Sequence, residues 1–260
     1  MKSVYIFITA LLSLLPCLKA AGQQAISIRV MSMNIKEGAQ YASCESEPYS
    51  ALINEYSPDF VCLQEVDYKT NRNGKRDWLN EVALQTGMLP YFCKSINYQN
   101  GGFGTAILSK YPSFKARKSV FSASGTREDR ATGWIYVVLP SGHTVRVATT
   151  HLALETADIT TKHIASVNSD IFAEDTQTPT LLIGDFNATP DSDPIKYAKI
   201  KWQEIAPGQG NTIPSSGPNR QLDYVMGYPK KWRFSNYEIL PHPELSDHCF
   251  IVADVSIDVE

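Results

Sequence analysis

The stretch Leu181-Leu-Ile-Gly-Asp-Phe-Asn-Ala-Thr-Pro190 leaves the chain around it few ways to fold. Leu181 to Ile183 is a short apolar run of the kind that forms a buried strand, and Gly184 marks its end. In extended backbone, side chains two positions apart point to the same side. Asp185 and Asn187 are then expected to face one point together while Phe186 packs the other way. A carboxylate beside a carboxamide suits activation of water next to a phosphoryl oxygen, one accepting a proton and the other donating hydrogen bonds. The same residues also read as a strand followed by an Asx-rich turn into Thr189-Pro190. The rest of the chain has to discriminate between the two.

Other segments repeat this pattern of an apolar run with a polar end. Ile26, Ile28 and Val30 alternate along a strand that ends at Asn34. Phe60-Val-Cys-Leu-Gln-Glu-Val66 is apolar enough for a central strand, but Gln64 and Glu65 interrupt it. A carboxylate there is costly unless paired or metal-bound; the other reading is a strand edge that dips into solvent. Residues 132–139 and 144–150 predict a hairpin whose second strand ends at His151, a histidine that reads as structural or as catalytic. Asp223 lies inside a strand-like run, and Asp247-His248 stands where a loop enters the terminal strand. Helices are expected over 48–56, over 77–86 with Asp77 as its cap, over 158–172 and over 194–199. Gly101-Gly-Phe-Gly104 reads as a hairpin turn, or as a phosphate cradle, and 208–219 as a surface loop. Strands outnumber helices and several are joined by hairpins, so antiparallel sheets with a few covering helices are expected.

Composition narrows the class. With 260 residues, 43% hydrophobic and 20% charged, no linker and no repeat, one globular domain is expected over 23–260. Residues 1–22 read as a signal peptide: Lys2, an apolar run from Val4 to Pro16, then Ala20-Ala-Gly22. The run is too short for a comfortable membrane-spanning helix, which needs about 20 residues. An exported protein, periplasmic or extracellular, is therefore expected, with Cys17 a weak match to a lipid-anchor signal. Removing Lys2 and Lys19 leaves 22 basic residues against 27 acidic ones, with no basic tail or stripe of the kind that grips nucleic acid. The remaining cysteines contain no CxxC spacing, so a zinc site is not expected. Cys62 and Cys249 read as core residues, and Cys44 with Cys93 as one conceivable disulfide.

Asn34, Glu65, His151, Asp185, Asn187, Asp223, Asp247 and His248 thus sit at or near strand ends across more than 200 positions. Oxygen ligands without cysteine point to a hard cation such as Mg²⁺, Mn²⁺ or Ca²⁺, and carboxylates with histidine suit metal-assisted hydrolysis. The order Met-Asn-Ile, Leu-Gln-Glu-Val, Thr-His-Leu, Gly-Asp-Phe-Asn, Leu-Asp-Tyr and Ser-Asp-His resembles the endonuclease/exonuclease/phosphatase superfamily. The resemblance runs from about Arg29 to Val255. It implies a four-layer α/β sandwich of two packed, mostly antiparallel sheets flanked by helices.

Residue by residue, the resemblance implies Glu65 as principal metal ligand with Asn34 as ligand or orienter, and Asp247 as metal ligand or supporting residue. It implies Asp185 as the group that orients or deprotonates water, and Asn187 as a phosphate contact. His248 would stabilise the pentacovalent phosphorane, polarised by Asp223, and His151 would bind phosphate or assist the leaving group. Arg130, in Arg127-Glu-Asp-Arg130, is a phosphate-contact candidate or a surface ion pair. The run Val66-Asp67 with Thr70, Arg72 and Asp77 beyond is more similar to secreted bacterial and sphingomyelinase-like members than to abasic-site endonucleases. Gly104-Thr105-Ala106 departs from the family's Gly-Asn-Ala, which removes the warrant for a contact there.

The expectation is a monomeric, divalent-metal-dependent phosphoesterase acting on a phosphodiester or phosphomonoester, with a lipid-, inositol- or sugar-linked substrate favoured. A secreted Mg²⁺-dependent endonuclease is the alternative within the family. A catalytically inactive module that binds a phosphoryl ligand is the alternative outside enzymes. Substrate choice is expected to reside in the loops 67–77 and 208–219.

Overall fold

In a computed structural model, which describes residues 24–37 and 45–259, the period-two apolar pattern becomes two six-stranded sheets packed face to face. The expected signal segment, Cys17 and Cys44 lie outside the described residues. The elements in chain order are β1 (Gln24–Asn34), α1 (Glu47–Tyr56), β2 (Phe60–Tyr68), α2 (Trp78–Thr86), β3 (Leu89–Tyr98), β4 (Gly101–Ser109), β5 (Ser113–Phe121) and β6 (Arg130–Val138). They continue as β7 (Thr144–His151), α3 (Ala157–Glu174), β8 (Thr180–Asp185), α4 (Asp193–Lys201), β9 (Gln203–Glu204), β10 (Asp223–Tyr228), β11 (Arg233–Leu240) and β12 (Phe250–Val259). One sheet runs β11-β12-β1-β2-β4-β3 and the other β5-β6-β7-β8-β10-β9. Among the described residues only β1/β2 and β7/β8 pair in parallel. Each needs a crossover, and α1 and α3 supply them.

Alternation decides which layer each side chain enters. Ile26, Ile28 and Val30 of β1, Phe60 and Cys62 of β2, Val145 and Val147 of β7, and Leu181 and Ile183 of β8 meet between the sheets. Their neighbours face outwards: Met31, Met33, Val61 and Leu63 pack beneath Tyr49, Ile53, Trp78 and Val82 of α1 and α2. On the opposite side Ala148, Leu182, Phe186 and Tyr224 pack beneath Ile164, Val167 and Ile171 of α3 and Ile195 of α4. The result is the four-layer α/β sandwich expected from the sequence. Each such side chain contributes about 1.5–3 kcal/mol on burial, and a one-residue slip would exchange every inner residue for an outer one. Register is therefore fixed strand by strand.

That parity also explains how Glu65 escapes the core. Val61, Leu63 and Val66 all enter the outer layer, although 63 and 66 are an odd number apart. The extra residue is a bulge: Leu63 pairs with Ala106 and Val66 with Gly104, so Gln64 and Glu65 together oppose Thr105. Glu65 takes φ +59°, in the sparsely used left-handed region. Without the bulge, Glu65 would follow Val61 and Leu63 under the helices. Gln64, which continues the inner row of Phe60 and Cys62, donates from Nε2 to Thr149 Oγ1 of the facing sheet, at 3.2 Å.

The structure corrects two local expectations. The turn between β3 and β4 is Gln99-Asn100, both at positive φ, and Gly101 to Gly104 belongs to β4 itself. A Cβ on Gly104 would lie 2.1 Å from the Cys93 carbonyl oxygen and one on Gly101 2.4 Å from that of Tyr68, so these glycines serve close strand approach rather than a turn. Asp77 holds the N-cap position of α2 without a side-chain capping bond. The loop 208–219 lies at the surface as expected, although Thr212 and Ser215 within it are buried. Cys93 is a buried free thiol. Among the described residues no helix is long and apolar enough to cross a membrane.

Gly184 has φ +148°, and a Cβ there would stand 2.0 Å from the Thr150 carbonyl oxygen on β7. Gly184→Ala is expected to lower stability by about 3 kcal/mol, since backbone must move and the new residue is strained. Urea denaturation of the two proteins measures it; a change within ~0.5 kcal/mol, the range of an ordinary surface substitution, would show that β7 and β8 separate freely.

Candidate active site

The inner-face rows of several strands run out of apolar residues at the same end of the sandwich. Asn34 continues Ile26, Ile28 and Val30; His151 continues Val145 and Val147; Asp185 continues Leu181 and Ile183; and Asp223 precedes Val225. Asn34 pairs with Gln64 across β1/β2, His151 with Asp185 across β7/β8, and Asp223 with Asp185 across β8/β10. Asp247 and His248 arrive on the loop that enters β12. These residues meet at a cleft of about 370 Å³, lined among others by Lys36, Glu65, Arg130, His151, Asp185, Asn187, Asp247 and His248.

Asp185 is the centre. Its Oδ1 accepts the Asn187 backbone N–H at 2.8 Å, and its Oδ2 accepts from Asn34 Nδ2 at 3.1 Å. The Nε2 atoms of His151 and His248 lie 3.6 and 3.7 Å from the same oxygen. Burial and the nearby Asp223 charge push the Asp185 carboxyl up to about 7, against the pull of His248 and the Asn187 N–H. The two sequence readings of this stretch turn out to coincide, because the inward carboxylate is also the acceptor of an Asx turn. Asn187 itself is left-handed, at φ +49°, so it does not share a strand face with Asp185. Its Nδ2 donates to the Leu152 carbonyl at 2.9 Å, and one amide hydrogen is left for the cleft. Phe186 packs the other way, as expected, with its ring edge-on to Tyr224.

His248 Nδ1 bonds Asp223 Oδ2 at 2.8 Å. Burial opposes its protonation, but Asp223, Asp185 and Asp247 together push its pKa up to about 10, so it is an imidazolium at neutral pH. Ser246 fixes the approach, accepting the His248 N–H while donating to the Asn34 carbonyl. Thr212 Oγ1 accepts the backbone N–H of Asp223, so the buried part of the 208–219 loop supports the site. His151 is the opposite case: burial, Arg130 and the His248 charge hold its pKa well below the usual value. Arg130 Nη1 lies 3.0 Å from His151 Nδ1, 3.3 Å from its Nε2 and 3.1 Å from Glu128 Oε1. A guanidinium only donates, so His151 meets it as a neutral imidazole that accepts.

Asn34 Nδ2 also donates to Glu65 Oε1 at 3.0 Å, and Asn34 Oδ1 accepts the Lys36 N–H. Glu65 is held above its ordinary pKa by burial, against Asn34 and Lys36. Ligand atoms of Glu65, His151 and Asp185 lie within 4.8 Å of one another, as do those of Asp185, Asp223 and His248. The second group already satisfies itself through the His248–Asp223 bond. Asp247 joins neither group, but its Oδ1 is buried with no hydrogen-bond partner. An orphaned carboxylate oxygen lining the same cleft as Glu65 and Asn187 is part of a donor set that fits a hard divalent cation.

Two charged residues of the cleft escaped the sequence reading. Lys36 Nζ stands 3.2 Å from Asp247 Oδ2, and Glu37 bonds Arg72 at 2.7 Å. Lys36 and Glu37 directly follow Asn34-Ile35, and that adjacency was the available signal. Arg72, singled out only as part of a resemblance, lines the cleft. Thr105 is buried in β4 and is not among the lining residues.

The model of the Endonuclease/Exonuclease/phosphatase family matches residues 31–248, and the chain belongs to that family. A search of curated proteins gives no match. Among solved structures, an endonuclease/exonuclease/phosphatase from Bacteroides vulgatus aligns with TM-score 0.75 at 14% identity, over 90% of this chain and 100% of its own. The mannosyl-6-phosphatase of Bacteroides thetaiotaomicron aligns with TM-score 0.71 at 12% identity, over 88% and 99%. The human Nocturnin catalytic domain with bound sulfate aligns with TM-score 0.67 at 21% identity, over 90% and 97%. At these identities the likeness is one of fold.

Asp223→Asn removes the carboxylate that raises the His248 pKa, so His248 is expected to titrate well below 10, towards the ordinary value of about 6.5. A raised folded-state pKa gives stability that is full below the unfolded pKa and lost as pH rises through the folded one. The variant should lose this contribution at lower pH than the parent. NMR titration of the imidazole carbons tests it, and an unmoved His248 would separate the pair.

Proposed function

We propose that this chain is a divalent-metal-dependent phosphoesterase that hydrolyses a phosphate ester of a small alcohol by in-line attack of water. The family's members are phosphoesterase hydrolases, which supports the reaction type. The observation that carries the reading is one buried carboxylate, Asp185, with a neutral and a charged histidine within 4 Å of the same oxygen. A carboxyl near 7 accepts a proton at neutral pH far better than an ordinary aspartate. An imidazolium beside it supplies a fixed positive charge where phosphoryl oxygens gather negative charge.

In this reading Asp185 Oδ2 orients water and takes its proton as the water oxygen bonds to phosphorus. The bond from phosphorus to the ester oxygen breaks on the far side. His248 Nε2–H and the remaining Asn187 amide hydrogen donate to the non-bridging oxygens, and Asp223 holds His248 in its charged, correctly turned form. Arg130 and His151 bind phosphate, Arg130 also keeping His151 neutral. Solvent in the open cleft protonates the departing alkoxide, and Asp185 returns its proton to solvent. Asn34, bonded to Glu65 and Asp185 together, acts as orienter. A divalent cation held by Glu65 and Asp247 would neutralise charge on the phosphoryl and leaving oxygens; Mg²⁺ is the favoured ion, Mn²⁺ and Ca²⁺ the alternatives.

The acidic balance of the chain favours a small or lipid-headgroup ester over nucleic acid. A mannosyl-6-phosphatase among the structural neighbours supports the small-ester arm. The apolar leader before Gln24 supports export, and a cell-fractionation experiment that left the protein in the cytoplasm would overturn that part.

Bis-p-nitrophenyl phosphate or p-nitrophenyl phosphate is expected to turn over with Mg²⁺ and not with EDTA. Asp185→Asn and His248→Ala should each lower kcat by about 10²–10⁴. The rate should rise with pH as Asp185 deprotonates through about 7 and fall as His248 loses its proton near 10. Full activity in either variant, or turnover in EDTA, would overturn the mechanism. Sustained nicking of plasmid at physiological salt would favour the nuclease alternative.

A further inference from the structure

One wall of the cleft has no part in the chemistry above. The loop after β2 folds back on the β3–β4 turn, where the Asn71 N–H donates to the Gln99 carbonyl, the Arg72 N–H to Gln99 Oε1, and Lys75 Nζ to the Asn100 carbonyl, all at 2.9–3.0 Å. This fixes the Arg72 side chain against the cleft. Its Nε and Nη2 bond both oxygens of buried Asp67 at 2.6 and 2.9 Å, and its Nη1 lies 2.7 Å from Glu37 Oε1. Its guanidinium carbon lies 4.6 Å from the Tyr98 ring centre and 5.2 Å from that of Phe103. Arg72, Glu37, Tyr98 and Phe103 all line the cleft, and Tyr98 keeps 36% of its surface exposed.

The charges of this wall select its occupant. One guanidinium faces two carboxylates, so no cation is spare for a second phosphate, and a nucleic-acid backbone would meet net negative charge. An acyl chain would cover polar atoms without bonding them, at about 1–3 kcal/mol for each group left unsatisfied. What the wall does offer is carboxylate lone pairs, unused guanidinium N–H groups and an aromatic surface. Hydroxyl groups use all of the polar sites, and the C–H face of a saturated ring uses the aromatic one. We propose that Arg72, Glu37, Tyr98 and Phe103 form a subsite for a neutral polyhydroxylated ring, a sugar or a cyclitol, borne by the phosphate ester. The proposal rests on the phosphoesterase reading of the cleft floor and adds the chemistry of the alcohol.

Equilibrium binding tests the subsite apart from turnover. Calorimetric titration of the Asp185→Asn protein in MgCl₂ would compare glucose 6-phosphate and myo-inositol 1-phosphate with n-propyl phosphate and phenyl phosphate. At least one of the first two is expected to bind about tenfold or more tightly than propyl phosphate, a difference well inside the range of a few hydrogen bonds. Tyr98→Ala or Glu37→Gln in the same background should cut that preference about fivefold or more, while circular dichroism reports an unchanged fold. Equal or absent binding of all four ligands, tightest binding of phenyl phosphate, or a preference that survives both substitutions would overturn the subsite. Selective binding with no turnover by the parent protein would leave the subsite standing and overturn the hydrolase reading instead.

Discussion

Asp185 and Asp223 occupy one antiparallel register position of β8 and β10, both almost fully buried, and the end of the sandwich is arranged around their mutual repulsion. Like charges directly opposite each other destabilise a sheet, and burial multiplies the cost. The structure answers in two ways. His248 reaches between them, with Nδ1 on Asp223 and Nε2 towards Asp185. Asp185 also moves its pKa towards neutrality. One carboxylate stays paired while its neighbour is left ready to exchange a proton, so the same repulsion that would unfold a simpler sheet divides two aspartates between two roles.

That tension explains the supports around it. Ser246 ties the His248 backbone to the end of β1, and Thr212 accepts the Asp223 N–H. The 208–219 loop is glycine-, proline- and serine-rich and mostly exposed, yet it is pinned to the site at Thr212. On the other side, Arg130 needs a neutral His151 to accept its hydrogen bond. Of the two site histidines, then, one is held protonated by carboxylates and the other unprotonated by a guanidinium.

Much of this was legible because the site continues the period-two pattern that builds the core. A reader who follows Ile26, Ile28 and Val30 to Asn34, or Leu181 and Ile183 to Asp185, has already placed both polar residues on the inner face at one end. The layer order follows from the same alternation. What alternation cannot show is where it breaks. The Gln64–Glu65 bulge is invisible until Val66 is seen on the face of Leu63, and Gly101 to Gly104 looks like a turn until the carbonyls behind it are known. Lys36 and Glu37 were missed for a different reason: each acts through a partner far along the chain, Asp247 and Arg72, and charged loop residues have no period to betray them.

The division between floor and wall follows from where each is anchored. Asp185, His151 and Asn34 extend strands whose other residues are locked by the inter-sheet core, so they cannot shift without the core shifting. The known folds that superimpose on this one at 12–21% identity keep the layered frame despite that divergence. Arg72 and Glu37 belong to loops joined to the frame through Asp67, through the β3–β4 turn with its Tyr98 ring, and through the Glu65 carbonyl, which accepts the Glu37 N–H at 3.1 Å. Neither side chain enters the inter-sheet core. A phosphoryl group is the same in every ester, so a rigid floor suits it, whereas the alcohol varies and suits a wall that loops can rebuild. Because the Glu37 N–H ends on the backbone of Glu65, the wall is still coupled to the cation-binding end of the floor, and a ring seated against Glu37 would bear directly on how Glu65 is held.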